Sequence, residues 1–347
     1  MPPKNPPAEI APTDYLRVDA YLRTEIEARA LAFALERGLV DRLAGEGMAA
    51  EAVGPALGQP EPGRKLLLDL LRGAGVVAGE AHLALTPGFR AALAYRDYLE
   101  AKLAFAGLVA EDVHGLFPLL VGDVRGFMAR SKTFALFRYD RAKEATPAAV
   151  AATRRWVGWT TALTRYEAGP ALAALDPSAH RRMLDVGGNS GEFALQACGR
   201  APGLEATVFD LPAVCAIGRE HVGGSPEGAR VRFAPGDLRR EPLPGGHDLV
   251  TLKSVLHDWP DAEATEILSC AAAALAPGGR LAIYERAPLV LDGPPTYAMI
   301  PNLVFLHFLR EPGLYERTLA RLGFREIECR TIRLETDFFL LTARKPA

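Results

Sequence analysis

The segment Leu184-Asp185-Val186-Gly187-Gly188-Asn189-Ser190-Gly191 constrains this chain more than any other. In it a short apolar run breaks into three glycines and passes straight into a helix-forming stretch. Glycines at such a junction let the backbone turn sharply and approach a ligand closely. In open α/β sheets the junction lies at the carboxyl edge of the strands, where ligands bind.

The surrounding texture fits that architecture. Short apolar or β-branched runs predict strands over 181–186, 206–209, 230–233, 247–254 and 280–285, and helical runs over 192–198, 214–221 and 261–275 fall between them. The tail predicts a strand pair, 326–334 and 337–343, joined by a tight turn. Strands that alternate with helices imply an α/β fold, a mostly parallel Rossmann-like sheet covered on both faces.

The glycine loop narrows the ligand. A dinucleotide fingerprint starting at Gly187 needs glycine at 189 and 192, where Asn189 and Glu192 stand, so the nicotinamide reading weakens. Asp210 ends the second predicted strand, 23 residues after Gly187. A carboxylate there can accept hydrogen bonds from both hydroxyls of a ribose, a role favoured over that of a solvated strand end.

Upstream, apolar residues recur at helical spacing over 15–43 (Leu16, Ala20, Ile26, Ala30, Phe33, Ala34). Helices predicted over 49–57 and 62–71 precede Val76-Val77 and the alternating His82-Leu83-Ala84-Leu85, and helix, turn, helix, hairpin is a winged-helix order. Such an order invites a DNA-binding regulator, but residues 1–110 carry 12 basic against 14 acidic residues, a net of −2. Duplex binding requires a cationic face, so the count opposes it. The whole chain, with 40 basic and 42 acidic residues and no block of like charge, attracts neither nucleic acid nor an anionic membrane.

Residues 89–178 read as almost wholly helical, with breaks at Pro147 and near Thr153. Aromatic residues crowd two places there, Phe127, Phe134, Phe137 and Tyr139, then Trp156, Trp159 and Tyr166. They suit a helical core or the wall of a pocket for a flat substrate equally well. Cys198, Cys215, Cys270 and Cys329 stand singly, which suggests reduced, buried thiols and no zinc site. The proline-rich start lacks a secretory apolar region and no stretch approaches a bilayer-spanning apolar length, so a cytoplasmic protein is expected.

The loop and Asp210, together with Gly236-Asp237-Leu238, the segment from Lys253 to Asp261 with His257-Asp258-Trp259, and Pro277-Gly278-Gly279, resemble the S-adenosylmethionine-dependent small-molecule O-methyltransferases. That family includes plant caffeic acid and flavonoid enzymes and bacterial antibiotic-pathway relatives. The resemblance runs from the helical opening to the final strand pair. The proline-rich start reads as a disordered tail over 1–14, and the resemblance implies a winged-helix dimerisation domain over 15–110, a helical connector over 111–178 that contributes to the substrate pocket, and a class I methyltransferase domain over 179–347.

Carried over by position, the resemblance implies a cofactor site built from Asp185, Gly187, Gly188 and Gly191 in the loop, and from Asp210 and Leu211. Gly187 would back the methionine part and Asp210 hold the ribose. Asp237 would bind the adenine amino group, Leu238 and Trp259 would pack near the ring, and Lys253 would contact the cofactor from the fourth strand. From the residues alone, Lys253 is a lysine inside an apolar strand that needs a partner.

Methyl transfer to a phenol requires alignment and removal of a proton, and an imidazole is the side chain best matched to that task at neutral pH. The resemblance makes His257 the base and Glu285, 28 residues later, the carboxylate that orients it. A second carboxylate falls on Glu311 or on the inert Leu309, depending on where a gap is placed. His307, on the apolar stretch 300–309, reads as a core or pocket histidine. The competing chemistry uses His257, Asp258 and His307 as a metal-holding triad for C-methylation beside the keto group of a 2-oxo acid.

The function expected is transfer of a methyl group to the hydroxyl of a small aromatic metabolite by a homodimer, with no nucleic acid or membrane partner and no metal. C-methylation, a DNA-binding regulator and a relative that binds the cofactor without catalysis stand as alternatives.

Overall fold

The computed structural model describes residues 13–21, 25–291 and 295–347 and divides into two compact units. The expected terminal tail lies, through residue 12, outside the described residues. One unit comprises Met1–Thr133 with Leu291–Val304, the other Phe134–Val290 with Phe305–Ala347.

The first unit is helical with a small antiparallel sheet. Helices Glu25–Glu36, Leu39–Ala44, Ala50–Leu57 and Gly63–Gly73 surround the strands β1 (Met48–Ala49), β2 (Val77–Ala78) and β3 (His82–Leu85), which pair in the order β1-β3-β2. The alternation in β3 works as the sequence suggests: Leu83 and Leu85 are buried and His82 is exposed. Thr86 caps the next helix by accepting from the Phe89 amide at 3.2 Å, and Arg90 donates to the carbonyls of Ala44 (2.6 Å) and Leu43 (3.3 Å) at the end of helix Leu39–Ala44.

The run Pro87–Gly122 corrects one expectation, because a window in it is long and apolar enough to cross a membrane by length and composition. The run is not uninterruptedly apolar, but a helix tolerates a few charges in such a window. Here it serves as a core element. Tyr98, Leu99, Ala106 and Val109 are fully buried, Lys102 pairs with Asp19 at 2.6 Å, and the helix breaks its geometry at Leu116.

The second unit carries a seven-stranded sheet. In chain order its strands are β4 (Arg182–Val186), β5 (Glu205–Asp210), β6 (Val231–Pro235), β7 (His247–Lys253), β8 (Leu275–Arg286), β9 (Arg325–Arg333) and β10 (Asp337–Arg344). They pair as β6-β5-β4-β7-β8-β10-β9, parallel up to β8 and antiparallel from there. Alternate residues feed opposite faces. Leu184, Val186, Val250, Leu252, Leu281 and Ile283 pack with Ile267, Leu268 and Ala271 of helix Asp261–Ala274. Met183, Leu249, Ala282 and Tyr284 pack instead with Leu172 and Leu175 of helix Pro147–Leu175 and with helix Glu192–Arg200. Each fully buried Leu or Ile contributes about 1.5–3 kcal/mol, and burial on both faces explains why these strands read as continuous apolar runs.

The expected connector is divided by this arrangement. Helix Pro147–Leu175 belongs to the second unit, and Thr153, expected to break it, lies buried within it. A β-branched residue lowers helix propensity only slightly, while Pro147 sits in the first turn where its missing amide costs nothing, and Thr146 caps it by accepting from the Ala149 amide at 3.2 Å. All four cysteines are free, with Cys198 and Cys215 buried but Cys270 and Cys329 exposed, against the expectation that all were buried.

Candidate active site

At the carboxyl end of β4 the chain turns through Gly187, whose φ of +66° lies in the left-handed region. Its amide donates to the Phe209 carbonyl at 2.8 Å, and a Cβ there would come within 2.8 Å of Val255. Both backbone and neighbour therefore demand glycine. Gly188 lies so close over Asp185 that a Cβ would meet its carboxylate at 2.4 Å, and Gly191 opens helix Glu192–Arg200.

This loop addresses Asp210 at the end of β5. Its two oxygens accept from the Asn189 amide (2.8 Å) and the Leu211 amide (2.7 Å), and burial pushes its carboxyl up to about 6. Each oxygen keeps acceptor capacity toward the pocket that Asp210 lines. Asp185, in contrast, lies beneath the loop and outside the pocket lining. It accepts from the Thr251 hydroxyl at 2.7 Å, and burial raises it to about 7. The structure thus gives Asp185, Gly188 and Gly191 the task of shaping the loop.

The pocket measures about 950 Å³, part of it open to solvent, and Gly187, Asp210, Leu211, Asp237, Leu238, Lys253 and Trp259 all line it. Phe137, Tyr139 and Trp156 form an aromatic wall, so part of the aromatic crowding belongs to a pocket, whereas Phe127 is buried in the first unit. Burial disfavours charge on Asp237, but hydrogen bonds from the Arg239 amide (3.1 Å) and side chain (3.3 Å) and from Lys143 (3.2 Å) outweigh it and hold the carboxyl below its usual range. The Arg239 guanidinium lies 4.5 Å from the centre of the Trp259 ring.

His257 follows β7 on a short turn. Its Nδ1 hydrogen-bonds Glu285 Oε2 at the end of β8, while Glu285 Oε1 accepts the Val255 and Leu256 amides at 2.8 Å each. On the other side, His257 Nε2 lies 3.4 Å from Asp258, whose second oxygen accepts from the Tyr139 hydroxyl at 2.8 Å. Burial works against charge on the imidazole, yet the carboxylates of Glu285 and Asp258 raise its pKa above the ordinary value. Burial likewise opposes the charge on Glu285, and His257 with the two amides holds its carboxyl below the usual range.

Two expected residues are not brought to this pair. Glu311 is exposed and shares no hydrogen bond or ion pair with His257 among the described residues. Its neighbour Arg310 turns inward instead, donating to the carbonyls of Leu256 (2.8 Å) and Trp259 and pairing with Asp261 at 2.7 Å. His307 is exposed because helix Ile300–Phe305 ends before it, so the apolar helical face never carries it inward. Among the described residues no three His, Cys, Asp or Glu side chains are placed to hold a metal, so the alternative triad His257, Asp258, His307 is not assembled.

The residues present fit S-adenosylmethionine, the cofactor the resemblance implied. The loop rejects a side chain where a ligand would approach, and half-buried Asp210 presents acceptor oxygens at the end of β5 that could take a ribose. Ser254 Oγ and Trp259 Nε1, both buried in residues lining the pocket, find no hydrogen-bond partner among the described residues.

Sheet order, glycine loop and strand-end carboxylate define the class I methyltransferase fold. The solved mitomycin 7-O-methyltransferase shares it over 92% of this chain and 94% of its own, with a TM-score of 0.69 at 24% identity. A family model for the O-methyltransferase domain matches residues 157–319. Rat acetylserotonin O-methyltransferase is 30% identical over 317 residues, covering 86% of this chain and 70% of the rat protein. The chain therefore belongs to the O-methyltransferase family. Mouse (Mus musculus molossinus) acetylserotonin O-methyltransferase is 39% identical over 173 residues, 48% of this chain, and the match spans 44% of the mouse protein's length.

Sequence reasoning missed Lys143, Glu167 and Arg310, and offered Tyr139 only among the aromatics that suit a core or a pocket wall. Tyr139, Lys143 and Glu167 reach the site from distant sequence, and only the need of Lys253 for a partner pointed toward Glu167. Arg310 carries no local signal because its carbonyl partners, Leu256 and Trp259, lie 54 and 51 positions away.

Proposed function

We propose that this chain transfers a methyl group from S-adenosylmethionine to a hydroxyl of a small aromatic acceptor, with His257 as general base. The observation that carries the reading is the hydrogen-bonded pair of half-buried His257 and buried Glu285, next in the chain to Asp258 of the pocket that Asp210 and an aromatic wall line. Bound there, the cofactor supplies an electrophilic methyl on a sulfonium centre. Asp210 accepts the ribose hydroxyls, Gly187 backs the methionine part, and Asp237, Leu238 and Trp259 hold the adenine. His257 takes the acceptor's proton at Nε2, while Glu285 fixes the tautomer and stabilises the imidazolium, an arrangement worth about 10²- to 10⁴-fold in rate.

The curated relatives named above act on acetylserotonin by their names, which supports an aromatic acceptor, and Phe137, Tyr139 and Trp156 supply a matching wall. Against the metal-dependent alternative stands the finding that no three His, Cys, Asp or Glu side chains group to hold a metal among the described residues. We read the protein as a cytoplasmic homodimer. The first unit exposes Ile26, Phe117 and Val121, apolar surface that a second copy would cover, and the free exposed thiols of Cys270 and Cys329 suit a reducing compartment. Incubating the protein with S-adenosylmethionine and a panel of phenols, and detecting methyl ethers by mass spectrometry, tests the activity. Turnover of 2-oxo acids alone would contradict it.

A further inference from the structure

The hydroxyl of Tyr139 reaches the turn that carries His257 from 119 positions away. The tyrosine opens the short helical turn Tyr139–Ala142, and its half-buried ring lies between two tryptophans, with ring centres 5.7 Å from Trp156 and 6.0 Å from Trp259. Two large neighbours leave a phenol little freedom to swing, so packing sets the direction of its hydroxyl. That hydroxyl donates to Asp258 Oδ2 at 2.8 Å, which leaves Asp258 Oδ1 facing His257 Nε2 at 3.4 Å.

A carboxylate on so short a stem turns readily about its last bond. Beside a neutral imidazole whose Nδ1 proton goes to Glu285, Nε2 carries a lone pair, and an untethered Asp258 would gain by turning away from it. The Tyr139 donor removes that freedom. It also satisfies one oxygen of a half-buried carboxylate whose charge burial opposes. The phenol keeps its proton, because burial and the adjacent charge of Asp258 push it well above its ordinary value. Glu311, the carboxylate expected beside the base, is exposed, so Asp258 is the one that meets Nε2.

We propose that Tyr139 is a positioning residue for the base, holding the Asp258 carboxylate against His257 Nε2 so that it receives the N–H formed there when the acceptor hydroxyl gives up its proton. The assignment rests on the general-base reading above and adds a residue to it. The other charged groups around the pair are Glu285 and Arg286 beside His257, and Glu285, Asp210 and Arg310 beside Asp258. Arg310 is engaged by the carbonyls of Leu256 and Trp259 and by Asp261, so among the described residues it is Tyr139 that donates to the Asp258 carboxylate.

The profile of log kcat/KM against pH for Tyr139→Phe, which keeps the ring and removes the hydroxyl, tests this. Without the donor Asp258 ionises less readily and supports the imidazolium less, so the acid limb is expected to move down by about 0.5–1 pH unit and kcat to fall about 3- to 10-fold. The KM of the acceptor and the affinity for S-adenosylhomocysteine should stay within about twofold. Asp258→Asn should move the limb in the same direction, and adding Tyr139→Phe to it should move the limb no further, because the hydroxyl acts through the carboxylate. A Tyr139→Phe chain that melts normally and keeps the wild-type limb overturns the proposal, as does a second, additive shift in the double variant. Asp258→Asn that leaves the limb in place overturns it too, however Tyr139→Phe folds. A wild-type chain without an acid limb removes the base reading and the assignment with it, whereas a wild-type limb that neither variant moves removes the assignment alone.

Discussion

Glu285 holds His257 by Nδ1 with one oxygen and, with the other, ties the amides of Val255 and Leu256 that lead into the same turn. One carboxylate therefore fixes both the imidazole and the backbone that presents it. Because Glu285 and Asp258 raise the pKa of His257, the neutral, basic imidazole accumulates as pH rises through a value above 6.5. The profile of log kcat/KM against pH should show an acid limb with its midpoint above 6.5. Glu285→Gln should move that limb to lower pH and reduce kcat. A limb that stays in place in Glu285→Gln would show that another group sets it.

Asp210 provides a second pH signature. Its carboxyl titrates near about 6 in the absence of ligand, and the ionised form is the one that accepts two ribose hydroxyls. Affinity for S-adenosylhomocysteine should fall as pH drops through about 6, and Asp210→Asn should bind weakly with that dependence removed. Asp210→Ala, which leaves the ribose hydroxyls without their acceptor, should weaken binding by about 1.5–3 kcal/mol. Unchanged affinity by calorimetry would remove Asp210 from the site.

Arg310 braces the turn that carries His257 through the Leu256 and Trp259 carbonyls. Arg310→Ala should lower kcat about 10- to 100-fold by letting the base drift, with cofactor affinity less affected and the acid limb retained. Glu311→Ala, one residue on but exposed, should be nearly silent. The reverse ranking in steady-state kinetics would return Glu311 to the catalytic set.

Since His307 lies outside the His257 turn, dialysis against a chelator should leave kcat unchanged, and His307→Ala should retain most activity. Loss of activity on chelation, restored by a divalent cation, would revive metal-assisted chemistry.

The sheet was legible because its signals are local. Each parallel strand is an apolar run buried on both faces, and Gly187 after β4, Gly191 at the start of the next helix and Asp210 at the end of β5 are fixed by local geometry. His257 and Glu285 could be paired by spacing because β7 and β8 are adjacent and parallel, with Lys253 opposite Tyr284. What the sequence concealed depends on tertiary approach. Glu167 reaches Lys253 across 86 positions and Tyr139 reaches Asp258 across 119, distances at which no periodicity links residues. The exposure of Glu311 and His307 was not legible because the helix ends at Phe305, and side-chain direction beyond a helix end is not written in residue type.

The central claim is that His257 removes the acceptor's proton, and the most direct measurement compares His257→Ala with wild type in kcat and in S-adenosylhomocysteine affinity. The account predicts a loss of about 10²- to 10⁴-fold in kcat with cofactor affinity nearly intact. Full activity of His257→Ala on the same acceptor would contradict it and leave alignment of the reactants as the source of catalysis.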